Sequence, residues 1–320
     1  MKSIMFENFK SFNGRIASIK SDTLLVVWDK NVRRLHAKKI IFPAKRVIHF
    51  VAPTGENAKT ISSWTKGMEF FLKKGIHRQT HLIAIGGGTV TDLGGFMAAT
   101  LLRGISWSAI PTTLLGMVDA SIGGKTGLNS ASGKNLIGAF HAPSNIWLLP
   151  EFLKTLPEKE IKNGFGEIIK YALLDKKIFM LLHKGKSMND LILNCARFKE
   201  KVVALDFRDS KQRQILNLGH TVGHALETSL RVPHGIAVAN GIRIIDKAFN
   251  DGKLSFPIAD LMGFSEIPIL SVNIKKLLPF ILRDKKRTSM DSLVIIVPRG
   301  IGWADILEVG VDEFAMRMGK

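Results

Sequence analysis

The sequence predicts two domains: an α/β domain, with a parallel sheet flanked by helices, followed by a mainly α-helical domain. Short apolar runs rich in β-branched residues alternate with helix-like segments in the first half of the chain. After Pro150 the pattern changes to longer helical periods. We therefore expect the α/β domain over residues 1–150 and the helical domain over residues 151–320, with a boundary between Leu149 and Pro157.

The same patterns predict the individual elements. Apolar runs in the first half predict strands at Leu24–Trp28, Val47–Val51, Leu82–Ile85, Trp107–Ile110 and Ile146–Leu149. Helical spacing predicts helices over Ala58–Lys74, Leu93–Leu102, Phe152–Leu182 and Leu191–Leu205. Strand character returns near the end of the chain, at Leu293–Val297 and Trp303–Val309. Because helices separate several of the early strands, we expect those strands to run parallel.

Composition is that of a globular protein with a large positive charge. The 320 residues are 46% hydrophobic and 23% charged, which is enough for a sizeable core. The net charge of +19 favours an acidic partner, such as a phosphorylated metabolite or a nucleic acid, although a general role in solubility explains it equally well. The lysines are scattered and do not alternate with aromatic residues, so a base-stacking surface for nucleic acid is not indicated.

Cysteine usage and the start of the chain predict a cytoplasmic protein. Cys195 is the single cysteine, which excludes an internal disulfide and fits a reducing compartment. Glu7 and Lys10 lie where a signal peptide needs its apolar core. The charge-poor stretch 94–124 contains Arg103 and Pro111, and its longest uncharged piece is too short for a membrane-spanning helix. We therefore expect no membrane association.

The glycine run Gly86–Gly88 directly follows a predicted strand and precedes a helix. Glycines in this place let the backbone approach a pyrophosphate, whose charge the helix N-terminus stabilises. Thr91 stands where the strict dinucleotide fingerprint has glycine, so a plain strand-to-helix turn stays open as an alternative. Thr112 and Thr113 follow the next strand, and their hydroxyls can reach a bound cofactor. Together these features favour nucleotide binding.

Two lysines lie among glycines in the segments Asp119–Gly127 and Gly133–Asn135. The side chains of Lys125 and Lys134 are point charges on flexible stems, and this arrangement suits a phosphate group. Asp119 occupies the position where a P-loop needs glycine, so a kinase is not expected. A flexible surface loop is the alternative, but the apolar sequence on both sides disfavours it.

A line of polar residues is the strongest chemical signal in the chain. Spacings of four, four, three and four predict that they share one face of an α-helix: Asp209, Arg213, Asn217, His220 and His224. The residues between them are largely apolar, which is not typical of a solvated helix face. Imidazole, guanidinium, amide and carboxylate groups in one line can bind a divalent metal together with a hydroxylated anion.

Histidine spacing suggests which residues bind the metal. The separation of His220 and His224 nominates that pair as zinc ligands, and His234 follows ten residues later. A structural role for a buried histidine is the alternative. Glu167 can complete a zinc site, although with Lys170 it can also form an ordinary surface ion pair. The charge run 283–287 is either solvated or a source of an ammonium group for the substrate.

The order of these motifs along nearly the whole chain carries a family resemblance. It runs through Asp29–Asn31, Gly55–Lys59, the triple glycine with Asp92, Arg103-Gly104, Asp119–Gly127, Gly133–Phe140, Gly166–Lys170, Leu216–His224, His234-Gly235 and Asp284–Lys286. The chain thereby resembles the 3-dehydroquinate synthase branch of the sugar phosphate cyclases. The resemblance implies a dehydroquinate synthase-like fold, a tightly held NAD, one catalytic Zn²⁺ or Co²⁺, and a homodimer.

The resemblance also implies a reaction. It is the conversion of 3-deoxy-arabino-heptulosonate 7-phosphate to 3-dehydroquinate and phosphate, in the shikimate pathway of aromatic amino acid biosynthesis. The steps implied are transient oxidation by NAD, β-elimination of phosphate, re-reduction, and closure of the ring by an intramolecular aldol step. An enzyme of this kind is a carbon–oxygen lyase that depends on NAD and a metal.

Site residues follow from the same resemblance. The implied metal ligands are Glu167, His220 and His234, so that His224 faces the substrate instead of the metal. The implied NAD contacts are Asp29, Asn31, Glu56, Lys59, Gly87, Gly88, Thr89, Val90, Thr91, Asp92, Thr112, Thr113, Lys125, Lys134, Phe152, Leu153, Lys154 and Thr155. The implied substrate-binding and catalytic residues are Arg103, Asp119, Lys125, Asn135, Lys170, Lys199, Asp209, Arg213, Asn217, His224, Lys285 and Lys286.

The sequence departs from the family's usual pattern near the implied substrate and metal. Asp209 replaces glutamate, Lys211 replaces glycine, Phe207 replaces an acidic residue, and Ile236 replaces the glutamate that usually follows His-Gly. Loss of that glutamate removes a hydrogen bond expected around the metal ligands. Two alternatives therefore stay open: a related cyclase that acts on another sugar phosphate, and a basic nucleic-acid-binding scaffold without catalytic activity.

Overall fold

The chain forms two compact units, residues 1–157 and residues 158–320. The computed structural model describes residues 3–281 and 292–319. The predicted Lys285 and Lys286 lie outside the described residues. None of the described helices is long and apolar enough to cross a membrane.

A parallel sheet is the centre of the first unit. The strands of this unit are β1 (Ser3–Met5), β2 (Thr23–Asp29), β3 (Arg46–Ala52), β4 (His81–Gly86), β5 (Ser106–Pro111), β6 (Lys125–Ser130), β7 (Gly133–Phe140) and β8 (Asn145–Leu148). The sheet has the order β1-β8-β5-β4-β2-β3, and every neighbouring pair is parallel. Strand β4 is buried along its whole length, as apolar strands covered on both faces must be. The predicted parallel sheet is confirmed.

Helices and one hairpin complete the first unit. The helices are α1 (Phe9–Ile16), α2 (Lys30–His36), α3 (Ile61–Leu72) and α4 (Gly88–Thr100). Strands β6 and β7 pair with each other as an antiparallel hairpin apart from the large sheet. Short 3₁₀ segments lie at Ala37–Lys39, Gly55–Ala58, Leu101–Arg103 and Pro150–Thr155, and a π-helical turn spans Gly116–Ala120.

The second unit is mainly helical, as predicted. Its helices are α5 (Glu158–Leu174), α6 (Lys176–His183), α7 (Met188–Leu205), α8 (His220–Leu230), α9 (His234–Phe249), α10 (Ser255–Phe264), α11 (Ile274–Ile281) and α12 (Val311–Met318). Strands β9 (Ser292–Gly300) and β10 (Trp303–Gly310) form an antiparallel pair. Buried side chains from α8, α9, β9 and α12, such as Leu226, Ile245, Ile295 and Phe314, form one apolar core.

The single long helix predicted over Phe152–Leu182 is wrong. The chain forms a 3₁₀ segment over Pro150–Thr155 and then two helices, α5 and α6. Asp175 separates the two helices, because its carboxylate accepts a hydrogen bond of 3.0 Å from the backbone N–H of Ile178 and caps α6.

The single α-helix predicted from Asp209 to His224 is also wrong. Gln212–Asn217 is a 3₁₀ segment, Gly219 has a φ of +78°, and α8 begins only at His220. The carboxylate of Asp206 accepts hydrogen bonds from the backbone N–H groups of Lys211, at 2.7 Å, and of Arg213, at 3.1 Å. These bonds replace the i→i−4 pattern of an α-helix, so only His220 and His224 share a helical face.

Candidate functional site

Three potential metal ligands converge in the second unit. Nitrogen and oxygen atoms of Glu167, His220 and His234 all lie within 4.8 Å of one another. Glu167 Oε1 lies 3.1 Å from His234 Nε2 and 3.4 Å from His220 Nε2. The carboxylate is fully buried. One carboxylate and two imidazoles are the kind of donor set that a catalytic zinc site uses, with further positions left for substrate or water.

Two glycines bring these ligands together. A Cβ atom on Gly166 of α5 would lie 2.0 Å from the carbonyl oxygen of Gly235 in α9, so only glycine allows the two backbones to approach so closely. The backbone N–H of Gly235 donates a 2.7 Å hydrogen bond to the side-chain oxygen of Asn163. Glu167 and His234 are the neighbours of these glycines in sequence. The close packing of α5 and α9 therefore places their side chains opposite each other.

The far sides of both imidazoles are held by hydrogen bonds. His220 Nδ1 donates to the carbonyl oxygen of Leu218 at 3.1 Å, and His234 Nδ1 lies 2.9 Å from Glu227 Oε2. A carbonyl oxygen can only accept, so the proton of a neutral His220 is on Nδ1 and the lone pair of Nε2 points toward the cluster. This is the arrangement that metal-binding histidines use, and the residues present therefore fit a zinc or cobalt ion.

The ionisation of His234 reflects its two carboxylate neighbours. Burial by itself lowers its pKa, but hydrogen bonds and charge from Glu167 and Glu227 outweigh burial and raise the pKa to about 9. A metal ion that binds at Nε2 must displace the proton there, so metal affinity is expected to rise with pH.

Glu167 and Lys170 form a buried ion pair, so the alternative of an ordinary surface pair is wrong. Lys170 Nζ lies 2.5 Å from Glu167 Oε2, and the two side chains are 1% and 0% exposed. Lys170 Nζ also lies 4.5 Å from the centre of the Tyr171 ring. A buried carboxylate needs such compensation for its charge. Lys170 is thereby held beside the metal-ligand cluster.

The other predicted substrate residues of this unit lie on several elements. His224 is adjacent to the cluster but not part of it: its ring centre is 5.4 Å from that of His220. Arg213 is 3% exposed, and its guanidinium donates a 2.7 Å hydrogen bond to the carbonyl oxygen of Phe207. Lys199 is buried on α7, Asn217 ends the 3₁₀ segment, and Asp209 has a φ of +59° in the turn before it.

In the first unit, the predicted cofactor segments meet at one edge of the sheet. Asp29 ends β2, the glycine run ends β4, and Thr112 follows β5. Strands β2 and β4 are neighbours, but the chain leaves them in opposite directions, toward β3 and β5. Ligands of open α/β sheets bind at such a switch point, outside the carboxyl ends of the strands.

The absence of side chains in the glycine run keeps the turn before α4 open. A Cβ atom on Gly88 would lie 3.0 Å from the Cβ of Ala120, so a side chain there would crowd the turn. Gly87 precedes the helix as its N-cap, followed by Gly88, Thr89, Val90, Thr91 and Asp92 in the first turns. The first backbone N–H groups of a helix lack partners within the helix and attract anions. The turn therefore fits the pyrophosphate of NAD.

Side-chain contacts connect the remaining cofactor segments. Lys59 forms an ion pair with Asp92. Asn129 Nδ2 donates a 2.6 Å hydrogen bond to Glu56 Oε2, while Asn129 Oδ1 accepts one of 3.1 Å from the backbone N–H of Asn135. The hairpin of β6 and β7 is thus joined to the segment that carries Glu56 and Lys59.

The other predicted residues of the first unit lie as follows. Asp29 Oδ1 accepts hydrogen bonds from the backbone N–H groups of Asn31 and Val32 and caps α2. Phe152 is buried in the 3₁₀ segment that also contains Leu153, Lys154 and Thr155, and Thr155 Oγ1 lies 2.8 Å from His36 Nε2. Arg103, Lys125 and Lys134 are exposed, Thr113 is half-buried, and Asp119 lies in the π-helical turn.

Sequence reasoning missed Glu227, Asn163 and Asn129. Glu227 lies seven residues after His220 and three after His224, so helical spacing alone indicates that it shares their face. Asn163 accepts a hydrogen bond from the backbone N–H of Gly235, and Asn129 donates one to the carboxylate of Glu56. Both partners are far away in sequence, so no local spacing reveals these contacts.

Comparison with known proteins identifies the family. The family profile described as 3-dehydroquinate synthase N-terminal matches residues 49–163, and that described as 3-dehydroquinate synthase C-terminal matches residues 164–287. The chain belongs to the 3-dehydroquinate synthase family. It is 38% identical to 3-dehydroquinate synthase of Thermococcus kodakarensis, over 89% of this chain and 84% of that protein. It is 36% identical to the enzyme of that name from Pyrococcus abyssi, over 100% of this chain and 99% of the relative.

Solved structures of two other synthases show the same fold. One is ValA, a 2-epi-5-epi-valiolone synthase from Streptomyces hygroscopicus with NAD⁺ and Zn²⁺ bound, with a TM-score of 0.87 and 23% identity over 99% of this chain and 95% of that one. Another is 2-deoxy-scyllo-inosose synthase complexed with carbaglucose-6-phosphate, NAD⁺ and Co²⁺, with a TM-score of 0.81 and 22% identity over 99% and 96% of the two chains. At these identities the likeness concerns the fold.

Proposed function

We propose that this member of the 3-dehydroquinate synthase family catalyses the reaction of its curated relatives. In this proposal it converts 3-deoxy-arabino-heptulosonate 7-phosphate to 3-dehydroquinate and inorganic phosphate, as a carbon–oxygen lyase. The observation that carries the proposal is the convergence of Glu167, His220 and His234 in a chain of this family. A protein that had lost catalysis would not need a buried carboxylate aimed at two imidazoles.

Glu167, His220 and His234 would hold the metal, and the glycine turn before α4 would hold NAD. When bound, the metal supplies a Lewis acid for a substrate hydroxyl, and NAD accepts a hydride and later returns it. Lys170 balances the buried charge of Glu167 and fixes its orientation through the 2.5 Å ion pair. The carbonyl oxygen of Leu218 orients the imidazole of His220.

Arg213 is the best-supported anion-binding group in the second unit. Its guanidinium is almost fully buried and is oriented by the carbonyl oxygen of Phe207. A planar guanidinium held in this way suits a carboxylate or phosphate oxygen of the substrate. We assign Lys199, Asn217 and His224 to the same substrate, whose hydroxyls need both donors and acceptors. Asp209 retains a carboxylate, although its side chain is shorter than glutamate.

The partners in this proposal are small molecules. The substrate is a phosphorylated sugar acid with several negative charges, which the net charge of +19 attracts. Nucleic acid is not proposed as a partner, because aromatic residues do not alternate with the lysines. We further propose a homodimer in the cytoplasm, and sedimentation at several protein concentrations tests the oligomeric state.

Phosphate release tests the proposed reaction. The purified protein is supplied with NAD and zinc, and the heptulosonate is compared with a heptulose 7-phosphate that lacks the carboxylate. We expect phosphate from the heptulosonate alone, no activity without metal or NAD, and no activity in Glu167→Ala. Release from the carboxylate-free sugar alone would instead identify a cyclase with another substrate, and Asp209 and Ile236 would be the first residues to examine.

A further inference from the structure

Glu227 contacts the outer side of the metal-ligand cluster. It lies on α8 on the same face as His220, and its Oε2 is 2.9 Å from Nδ1 of His234, the first residue of α9. The side chain of Glu227 is only 19% exposed, so water competes little for this contact. We propose that Glu227 is a positioning residue for the metal site, which holds His234 in the orientation and tautomer that bind a divalent cation.

The chemistry of the imidazole ring supports this role. A carboxylate can only accept a hydrogen bond, so the contact with Glu227 keeps a proton on Nδ1 of His234. The Nε2 atom is then left to bind the cation, and this is the atom that faces Glu167 Oε1 at 3.1 Å. The negative charge of Glu227 also makes His234 a stronger ligand, because it stabilises the partial positive charge that the ring gains on metal binding.

The two histidine ligands are held differently. His220 Nδ1 contacts a neutral backbone carbonyl at Leu218, which no side-chain substitution removes. His234 depends on a carboxylate that comes from another helix. The apolar side chain of Ile236 cannot form a hydrogen bond, although it lies only two residues from His234. Glu227 therefore supplies the carboxylate contact to His234 that the side chain of Ile236 cannot supply.

This inference rests on the proposed function, since it assumes that the cluster binds metal. Zinc affinity, measured by competition with a chromophoric chelator, tests it without any measurement of turnover. The variants are Glu227→Gln, which keeps shape and one acceptor oxygen but removes the charge, and Glu227→Ala. The exposed Glu69→Gln in the first unit is the control for loss of one negative charge. Circular dichroism melting shows that each variant is folded.

We expect zinc affinity to fall roughly 10-fold in Glu227→Gln and up to roughly 100-fold in Glu227→Ala, with Glu69→Gln unchanged. A packing role alone predicts that the isosteric Glu227→Gln binds zinc as the wild type does. That result, together with loss of binding in Glu167→Ala, would overturn the role of Glu227 and leave the metal site intact. A wild-type protein that binds no zinc would overturn both this inference and the metal in the proposed function.

Discussion

Asp206 controls the backbone that leads to Arg213. Hydrogen bonds from the backbone N–H groups of Lys211 and Ser210, and a further one from Arg213, lower the pKa of Asp206 to about 2. The carboxylate is therefore charged at any pH at which the protein is assayed. Its hydrogen bonds set the turn and the 3₁₀ segment from which the Arg213 guanidinium projects.

We predict that Asp206→Asn lowers kcat/KM on the order of tenfold to a hundredfold, mainly through a higher KM. An amide carries no charge and accepts fewer hydrogen bonds, so Arg213 loses its fixed position. Steady-state phosphate release measures the effect, and the exposed Asp312→Asn is the matched control. A kcat/KM value equal to that of the control would show that the turn does not position Arg213.

His81, the first residue of β4, makes the stability of the protein depend on pH. Burial lowers its pKa from 6.5 to about 4, and its two ring nitrogens contact Ser106 Oγ at 2.8 Å and Ser108 Oγ at 2.9 Å. The folded protein thus holds His81 neutral at pH values where the unfolded chain binds a proton. Its contribution to stability is complete above pH 6.5 and is lost as the pH falls toward 4.

We predict that this loss is about 3 kcal/mol in the free energy of unfolding of the first unit. His81→Gln cannot titrate, so the variant should lack this part of the pH dependence, whatever its stability at neutral pH. Urea unfolding followed by tryptophan fluorescence measures it, because Trp28, Trp64, Trp107 and Trp147 all lie in the first unit. An identical pH slope in the wild type and the variant would contradict the assignment.

At the scale of elements, the contact between α5 and α9 determines the metal cluster. A methyl group on Gly166 would come within 2.0 Å of the Gly235 carbonyl oxygen. We predict that Gly166→Ala destabilises the second unit by about 1–3 kcal/mol or more and weakens zinc binding, because the helices must move apart. Calorimetry and zinc titration measure the two effects.

Gly263→Ala on α10 is the matched control for that substitution. Nothing lies within 4 Å of the position where its Cβ would be placed. The change should leave zinc affinity unchanged and, since alanine favours helices, stabilise the protein by up to about 1 kcal/mol. If both alanine variants behave alike, the close approach of α5 and α9 is not what holds the ligands.

The elements that the sequence predicts correctly have strong local patterns. Strands β2 and β4 are continuous apolar runs, because helices cover both faces of a parallel sheet. The two wrong helix predictions, over Phe152–Leu182 and from Asp209 to His224, each fail because of one side chain. The carboxylate of Asp175 caps α6, and the carboxylate of Asp206 binds backbone N–H groups of the 3₁₀ segment and the turn before it. The sequence does not indicate the β6–β7 hairpin, since its glycines and lysines lack apolar alternation.

The site residues, too, can be predicted only in part from the sequence. Histidine spacing locates His220 but nominates His224 as its partner, and the carboxylate 53 residues earlier in the chain cannot be found from spacing. Family resemblance indicates Glu167 and His234, which the packing of α5 against α9 brings to His220. Helical spacing indicates that Glu227 shares a face with His220 and His224, but its contact with His234 depends on the relative position of α8 and α9 and cannot be found from spacing.

At the scale of the whole molecule, the proposed reaction is redox-neutral. Any hydride that NAD accepts is returned to the same molecule, so we predict phosphate release without net accumulation of NADH. Absorbance of the reduced nicotinamide, recorded during turnover, tests this. Steady formation of NADH in step with substrate loss would indicate a polyol dehydrogenase instead of a cyclase.

The most direct test of the whole account is a zinc titration of metal-free protein, with phosphate release from 3-deoxy-arabino-heptulosonate 7-phosphate as the measured quantity and NAD in excess. The account predicts that activity rises linearly and stops at about one zinc ion per chain, as expected for a single catalytic site. Glu167→Gln should stay inactive throughout. Full activity before zinc is added, or an active Glu167→Gln variant, would contradict the assignment of the Glu167, His220 and His234 cluster as the catalytic centre.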